Sequence, residues 1–255
     1  MKSYLSKHYL LRAELMWERV EDRTRYPFAL PAIAALNEIV FHPKVTFIVG
    51  ENGSGKSTLI EALAVAWGFN AEGGSKNFNF GTFDSHSRLH AAFRLQKGVR
   101  RAQDGFFLRA ESYFNVATNI EDLDREPGLG RRKIIESYGG RSLHNQSHGE
   151  SFIALLENRL GGRGLYIFDE PEAALSPTRQ MSMLVRMHDL IAAESQFIIA
   201  THSPILMAYP DSWIYQLGPR GLERVDYEDT EHYAITRNFL NHHQDIVRQL
   251  LEGGD

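Results

Sequence analysis

The stretch GENGSGKST, Gly50 to Thr58, is built to hold a polyphosphate. It fits G-x-x-x-x-G-K-[ST] in full, and each position has a physical task. In a loop formed by Gly50, Glu51, Asn52, Gly53, Ser54 and Gly55, the glycines let backbone amides turn inward around phosphate oxygens. Lys56 brings a cation to the outer phosphates, Ser57 offers a hydroxyl to Mg²⁺, and Thr58 closes the motif. A glycine-rich turn that contains a lysine by chance would lack suitable flanks. Here the β-branched run KVTFIVG comes before and the helically spaced TLIEALAVAW after.

A second cluster of chemistry closes the apolar run LYIFDE. Ligands of open α/β sheets gather beyond the carboxyl ends of the strands, which is where Asp169 and Glu170 fall. Asp169 suits Mg²⁺ held through water, and Glu170 suits the polarisation of a water attacking a terminal phosphate. Alone, the pair also reads as two solvated acids before Pro171; the phosphate loop in the same chain favours chemistry. His202, at the end of FIIATHSP, is placed to steady that water or the charge that develops on the phosphate. Taken alone, it reads as a strand-end histidine bonded to backbone.

These residues need a sheet to position them, and the chain supplies one. YLLRAEL, KVTFIVG, DGFFLRAE, GLYIFDE and QFIIATHS read as strands, with helices after the phosphate loop, from Ser151, and over PTRQMSMLVRMHDLIAA. Alternation of this kind predicts an α/β fold with a mostly parallel central sheet, antiparallel strands near the N-terminus, and a small helical lobe at about 115–160. The tail ITRNFLNHHQDIVRQLLEG reads as one or two helices packed on the surface. A single domain over 1–255 is expected, since 255 residues with 43% hydrophobic content can bury one large core.

The totals exclude several classes. A net charge of −4 gives no global basic field to recruit nucleic acid or anionic lipid. The absence of cysteine excludes disulfides, thiolate metal sites and thiol catalysis, and fits a reducing compartment. The N-terminal twenty residues have charges scattered among apolar ones, a poor signal peptide, and no apolar run is long enough to span a bilayer. The expectation is a cytoplasmic protein without direct membrane insertion.

One more stretch, LHNQSHGESFIALLENRL, stands before the second strand-end motif. Ser147 and Glu150 form an S-x-x-E capping box ahead of Phe152, Leu155, Leu156 and Leu160. The order and spacing of all these pieces resemble the ATP-binding-cassette (ABC) class of P-loop ATPases over nearly the whole chain. Gly50 to Thr58 resembles its Walker A motif, Leu165 to Glu170 its Walker B strand, and His202 its switch histidine. The resemblance implies ATP and Mg²⁺ as cofactors. It also implies a head-to-tail homodimer in which Ser147, His148, Gly149 and Glu150 cap the nucleotide held by the other copy. FFLRAESYF resembles the strand into the Q-loop, with Glu111 as a metal-binding replacement for glutamine.

S-H-G-E differs from the transporter signature L-S-G-G-Q, its terminal glutamate resembles SMC proteins and RecF-type ATPases, and DEPEAALSP resembles the RecF and OLD-like branch of soluble AAA-family ATPases. Ser176 stands where transporters have an aspartate. The chain reads as a bare ATPase head that drives a separate protein partner in DNA repair or phage defence, with DNA a possible ligand. A transporter nucleotide-binding subunit and a non-hydrolysing ATP switch are the alternatives. Tyr26 and Phe28 are candidates to stack on adenine, with core packing an equal explanation. The histidine pairs 86/90 and 144/148 have zinc spacing but no third ligand nearby. Arg94, Lys97, Arg100 and Arg101 read as a solvated turn before a contact with phosphate backbone.

Overall fold

Five-residue runs such as VTFIV and QFIIA have no polar face to turn outward, so they form a sheet covered on both sides. The computed structural model describes residues 8–75, 87–110 and 148–252, together with 118, 135, 136 and 140. Its strands are β1 Leu10–Leu15, β2 Glu38–Val40, β3 Val45–Val49, β4 Phe93–Lys97, β5 Asp104–Arg109, β6 Gly164–Asp169, β7 Gln196–Ala200, β8 Ser212–Gly218 and β9 Gly221–Val225. The longer helices are α1 Lys56–Trp67, α2 His148–Ala154, α3 Pro177–Ala192 and α4 Glu231–Glu252.

The central sheet has six strands in the order β5-β6-β7-β3-β8-β9. All neighbours run parallel except β8 and β9, which form a hairpin. The strand that ends in the phosphate loop and the strand that ends in Asp169 are thus separated by β7, the strand that leads to His202. A three-stranded antiparallel sheet, β2-β1-β4, lies beside it.

Alternate residues of each strand feed opposite cores. On β6, Tyr166 and Phe168 pack with Phe47, Phe197, and Met183 and Met187 of α3. Leu165 and Ile167 pack on the other face with Leu59, Ile60 and Leu63 of α1 and with Ala13 and Ile39 of the smaller sheet. Helix α3 begins cleanly because Ser176 accepts a bond from the Arg179 amide and Pro177 occupies the first turn.

One buried side chain joins the two sheets. Gln196, at the start of β7, is fully buried. Its Oε1 accepts from the amides of Tyr9 (3.0 Å) and Leu10 (2.9 Å), and its Nε2 donates to the carbonyls of Leu10 (2.9 Å) and His42 (3.0 Å). Every hydrogen-bonding position of that amide is used on backbone.

Three sequence expectations change. Arg94 and Lys97 lie on a strand, β4, which pairs with β1 rather than forming a turn. Three of the four cations are matched: Arg94 meets Glu14, Arg100 meets Glu194 at 2.8 Å, and Lys97 lies over the Trp67 ring. The helix that starts at His148 remains α-helical only to Ala154 and widens to a π-turn over Leu155–Arg159, so its apolar residues do not share one continuous 3.6-residue face. The tail forms α4 from Glu231, with a break in helical geometry at His242. None of its residues is buried, and Ile235, Leu240, Leu250 and Leu251 are exposed, so beyond its first turn it does not pack down as expected. The rest of the predicted 115–160 lobe lies outside the described residues apart from the isolated positions above. Among the described residues no helix is long and apolar enough to cross a membrane.

Candidate functional site

The phosphate loop leaves β3 at Gly50 and enters α1 at Lys56. Gly50, Gly53 and Gly55 all have positive φ, at 152°, 78° and 99°. The need is sharpest at Gly50, where a Cβ would stand 2.5 Å from the Leu217 carbonyl oxygen. Glu51, Asn52 and Gly53 are exposed along the loop, and Ser57 and Thr58 begin the helix behind it. The Ser54 hydroxyl is buried with no hydrogen-bond partner among the described residues.

Lys56 is buried, and its Nζ donates to the carbonyls of Gly50 and Glu51, each at 2.9 Å. Burial lowers the ammonium's pKa below that of an ordinary lysine, and the carboxylates of Glu170, Asp169 and Glu172 oppose that shift. The carboxyl ends of β3 and β6 therefore face one another electrostatically across β7. Tyr26 lies beside the same loop: its hydroxyl is 2.8 Å from Thr58 Oγ1 and the residue is 67% exposed. Phe28 is buried edge-on against Trp17 and is a core residue. A cavity of about 750 Å³ opens beside Tyr26, lined in part by Arg19, Arg25, Arg88 and His90.

Asp169 ends β6 buried, with Arg109 of β5 directly across the ladder and its Nε 3.8 Å from Asp169 Oδ2. Arg109 also bonds Glu61 of α1 at 2.7 Å. Glu170 follows in a left-handed conformation, φ 50° and ψ 53°, which a residue before proline adopts at a cost. This turns its carboxylate back toward β7, where Oε1 lies 3.2 Å from His202 Nε2. His202 is held from two further sides. Its amide donates to Glu172 Oε1 at 2.5 Å, and its Nδ1 is 2.7 Å from Nε2 of His232 in α4.

Glu172 and His232 had no part in the sequence reading. The second acid of DEPE was a usable signal for Glu172; His232, far along the chain in an unremarkable helix, offered none. Glu172 Oε2 is buried with no partner among the described residues, although the residue as a whole is partly exposed. Burial raises its pKa above the ordinary glutamate range, the Glu170 charge adds to this, and the His202 amide opposes it.

The unfolded carboxyl titrates near about 4.3. Below that pH both states hold the proton and the stability contribution is complete. As pH rises through the raised folded value it is lost, because the unfolded chain releases its proton more readily. Glu172→Gln, which keeps an acceptor for the His202 amide, is expected to raise the melting temperature at pH 8 by about 2–4 °C, equivalent to ~1 kcal/mol, with no gain at pH 4. Thermal scans at both pH values check this, and equal shifts at both would refute it.

Gly149 and Glu150 do not join this cluster. Gly149 is buried, and a Cβ there would stand 2.9 Å from the Ala174 carbonyl oxygen and against Arg179. Glu150 is exposed, 3.7 Å from Arg179. They lie against the turn after β6 and the start of α3. Ser147, Glu111, His86 and His144 lie outside the described residues, and for His148 the structure describes only its place at the start of α2.

The site suits a nucleoside triphosphate with Mg²⁺. The orphaned Ser54 hydroxyl, buried within the loop, matches a polyanion held there. Ser57 and the buried Asp169 are the hydroxyl and carboxylate donors that Mg²⁺ takes alongside phosphates and water.

Residues 33–139 match a family model described as "AAA domain", and residues 151–208 match one described as "AAA domain, putative AbiEii toxin, Type IV TA system". A curated relative, ABC transporter G family member STR2 of Medicago truncatula, is 26% identical over 174 residues. That stretch is 63% of this chain and only 24% of the relative. Among solved structures, cbiO1 of Clostridium perfringens, part of the ABC transporter complex cbiONQ, superposes with a TM-score of 0.50 at 17% identity, covering 96% of this chain and 99% of that one. The SMC head domain of Thermotoga maritima aligns with a TM-score of 0.40 at 18% identity, over 74% of this chain and 93% of that one. Two AAA-domain models thus match successive parts of the chain, and its fold is that of the ABC ATPase cassettes.

Proposed function

We propose that the chain binds Mg-ATP, closes head to tail with a second copy around two nucleotides, and hydrolyses the terminal phosphate. The observation that carries this is the convergence of Lys56, Asp169, Glu170 and His202 at the ends of three neighbouring strands. Lys56 exchanges its two loop carbonyls for phosphate oxygens. Ser57 and Asp169 hold the metal, which supplies charge neutralisation when bound. Glu170 accepts the proton of the attacking water, and His202 Nε2 steadies the water and the phosphate oxygens. Tyr26, fixed through Thr58 with an exposed ring, offers the adenine a stacking surface beside the cavity.

The start of α2 serves the opposite copy. Gly149 and Glu150 are set apart from the chain's own phosphate loop, as a site completed in trans requires. Ser147 and His148 belong to the same helix start, and Glu111 is assigned to the metal.

The test is size-exclusion chromatography with Mg²⁺ and a non-hydrolysable ATP analogue. The parent shifts from monomer to dimer. Lys56→Ala fails to bind and stays monomeric; Ser147→Arg binds the analogue and stays monomeric. A parent that remains monomeric with analogue bound, or a dimer formed by Ser147→Arg, overturns the sandwich.

The work done with this cycle falls, in this reading, to a separate protein partner in the cytoplasm, in DNA repair or phage defence. The RecF and SMC side of the class is favoured by S-H-G-E and DEPEAALSP, and a toxin–antitoxin partner by the AbiEii description of the second family model. A transporter subunit is the second reading, favoured by the names of cbiO1 and STR2; co-purification with a membrane protein would establish it.

A further inference from the structure

His202 is gripped on both ring nitrogens, and the grip on Nδ1 comes from a residue that no strand-end motif contains. We propose that His232, in the first turn of α4, is a positioning residue for hydrolysis: its Nε2–H donates to His202 Nδ1 and so fixes His202 with its own N–H on Nε2, toward Glu170.

The assignment follows from counting protons. The distance between His202 Nδ1 and His232 Nε2 is 2.7 Å, so one proton lies between the two rings. His202 Nε2 faces Glu170 Oε1 at 3.2 Å; a carboxylate only accepts, so this nitrogen carries hydrogen. A neutral His202 then has a lone pair on Nδ1, and His232 must be the donor. The reverse arrangement needs a second hydrogen on His202, making it an imidazolium. It would also put the hydrogen of His232 on Nδ1, a buried atom with no hydrogen-bond partner among the described residues. An N–H donor left there is costly. Burial, and the charge of Lys56, also favour the neutral form of His232.

The surroundings hold His232 in place. The Tyr227 hydroxyl donates to the Pro204 carbonyl at 3.0 Å, tying the approach to α4 onto the turn that follows His202. Thr230, fully buried, donates its hydroxyl to the Tyr227 carbonyl at 2.7 Å, and its own carbonyl accepts the Ala234 amide. Tyr227 and Tyr233 rings lie 4.5 Å apart. The first turn of α4 is thus clamped to the switch segment although none of the helix's own residues is buried. A cleft of about 420 Å³, lined by Glu51, Asn52, His202, Glu231 and His232 among others, opens between this turn and the phosphate loop. A triphosphate in the loop would meet His202 from that side, with the ring already oriented.

The proposal rests on the hydrolytic reading above, and two measurements separate the two. In the intact chain, ¹⁵N-histidine NMR should show His202 with an unprotonated Nδ1 that accepts a hydrogen bond. His232→Phe, similar in shape but without a donor, should lose that signature. Activity is the second arm: His232→Phe should lower kcat by about 10- to 100-fold, a typical size for a residue that orients a functional one, with KM for ATP unchanged. His232→Gln, whose amide can donate, should recover much of the rate. Circular dichroism confirms that each variant folds. If the parent proves to hydrolyse nothing, the NMR arm still decides. A protonated Nδ1 on parent His202, or a His232→Phe protein with parental kcat, overturns the proposal; a fall in KM-linked affinity alone does so as well.

Discussion

Glu170→Gln protein is expected to bind Mg-ATP as tightly as the parent and to hydrolyse it about 10²–10⁴ times more slowly, the usual contribution of a general base. The substitution is a narrow one. Glutamine keeps the length of the side chain and an oxygen that can accept from His202 Nε2, now 3.2 Å away. It keeps the left-handed backbone at 170 under the same local strain. What disappears is the capacity to take a proton from water. Single-turnover phosphate release reports the chemistry, and titration with a fluorescent ATP analogue reports the binding. With hydrolysis blocked, the closed dimer should accumulate on ordinary ATP. Turnover at the parental rate would move the base elsewhere, with Glu172 the next carboxylate to examine, since it already bonds the His202 amide.

The second large effect is on stability and lies far from the phosphate loop. Gln196→Met replaces a fully buried amide by a side chain of similar volume with no strong hydrogen-bonding group. It leaves two amides and two carbonyls, those of Tyr9, Leu10 and His42, without the partners they have now. A buried polar group stripped of its partner costs about 1–3 kcal/mol, and four in one place do not add fully, so a loss on the order of 4 kcal/mol is expected. For a chain of this size that is a fall in melting temperature of about 8–16 °C. Differential scanning fluorimetry checks it. A fall under about 2 °C would mean that water or a small shift of β1 re-satisfies the four groups, and that the smaller sheet is not held by this side chain.

These two residues mark what can and cannot be read from a chain. The phosphate loop was legible because its pattern is local: glycine spacing, a lysine and a hydroxyl fall within one turn, and the structure sets Gly50 just after β3 and Lys56 at the start of α1. Asp169, Glu170 and His202 were legible as strand ends, because a buried strand announces itself by composition. Their mutual arrangement was not. Nothing in the sequence says that β7 lies between β3 and β6, since strand order is decided by packing between distant segments.

Gln196 was hidden because a polar residue at a strand's first position looks like the strand's wet boundary; only the approach of β1 from 186 residues away makes it interior. The cations at 94, 97 and 100 read as a solvated turn because their partners, Glu14, Trp67 and Glu194, are also far off in sequence. Gly149 was read from family likeness as a phosphate cap. The fold gives its missing side chain a nearer cause, the Ala174 carbonyl and Arg179 packed against it, so its presence alone does not argue for a ligand.

The left-handed turn at Glu170 has an implication for anyone who alters this protein. Glycine accepts φ 50° without steric penalty and asparagine with little, so both relax the backbone at the position where the proposed mechanism needs a long carboxylate. A library screened for heat resistance alone would drift toward those replacements and return sturdy, inert proteins. Selection for endurance must therefore be paired at every round with a readout of phosphate release.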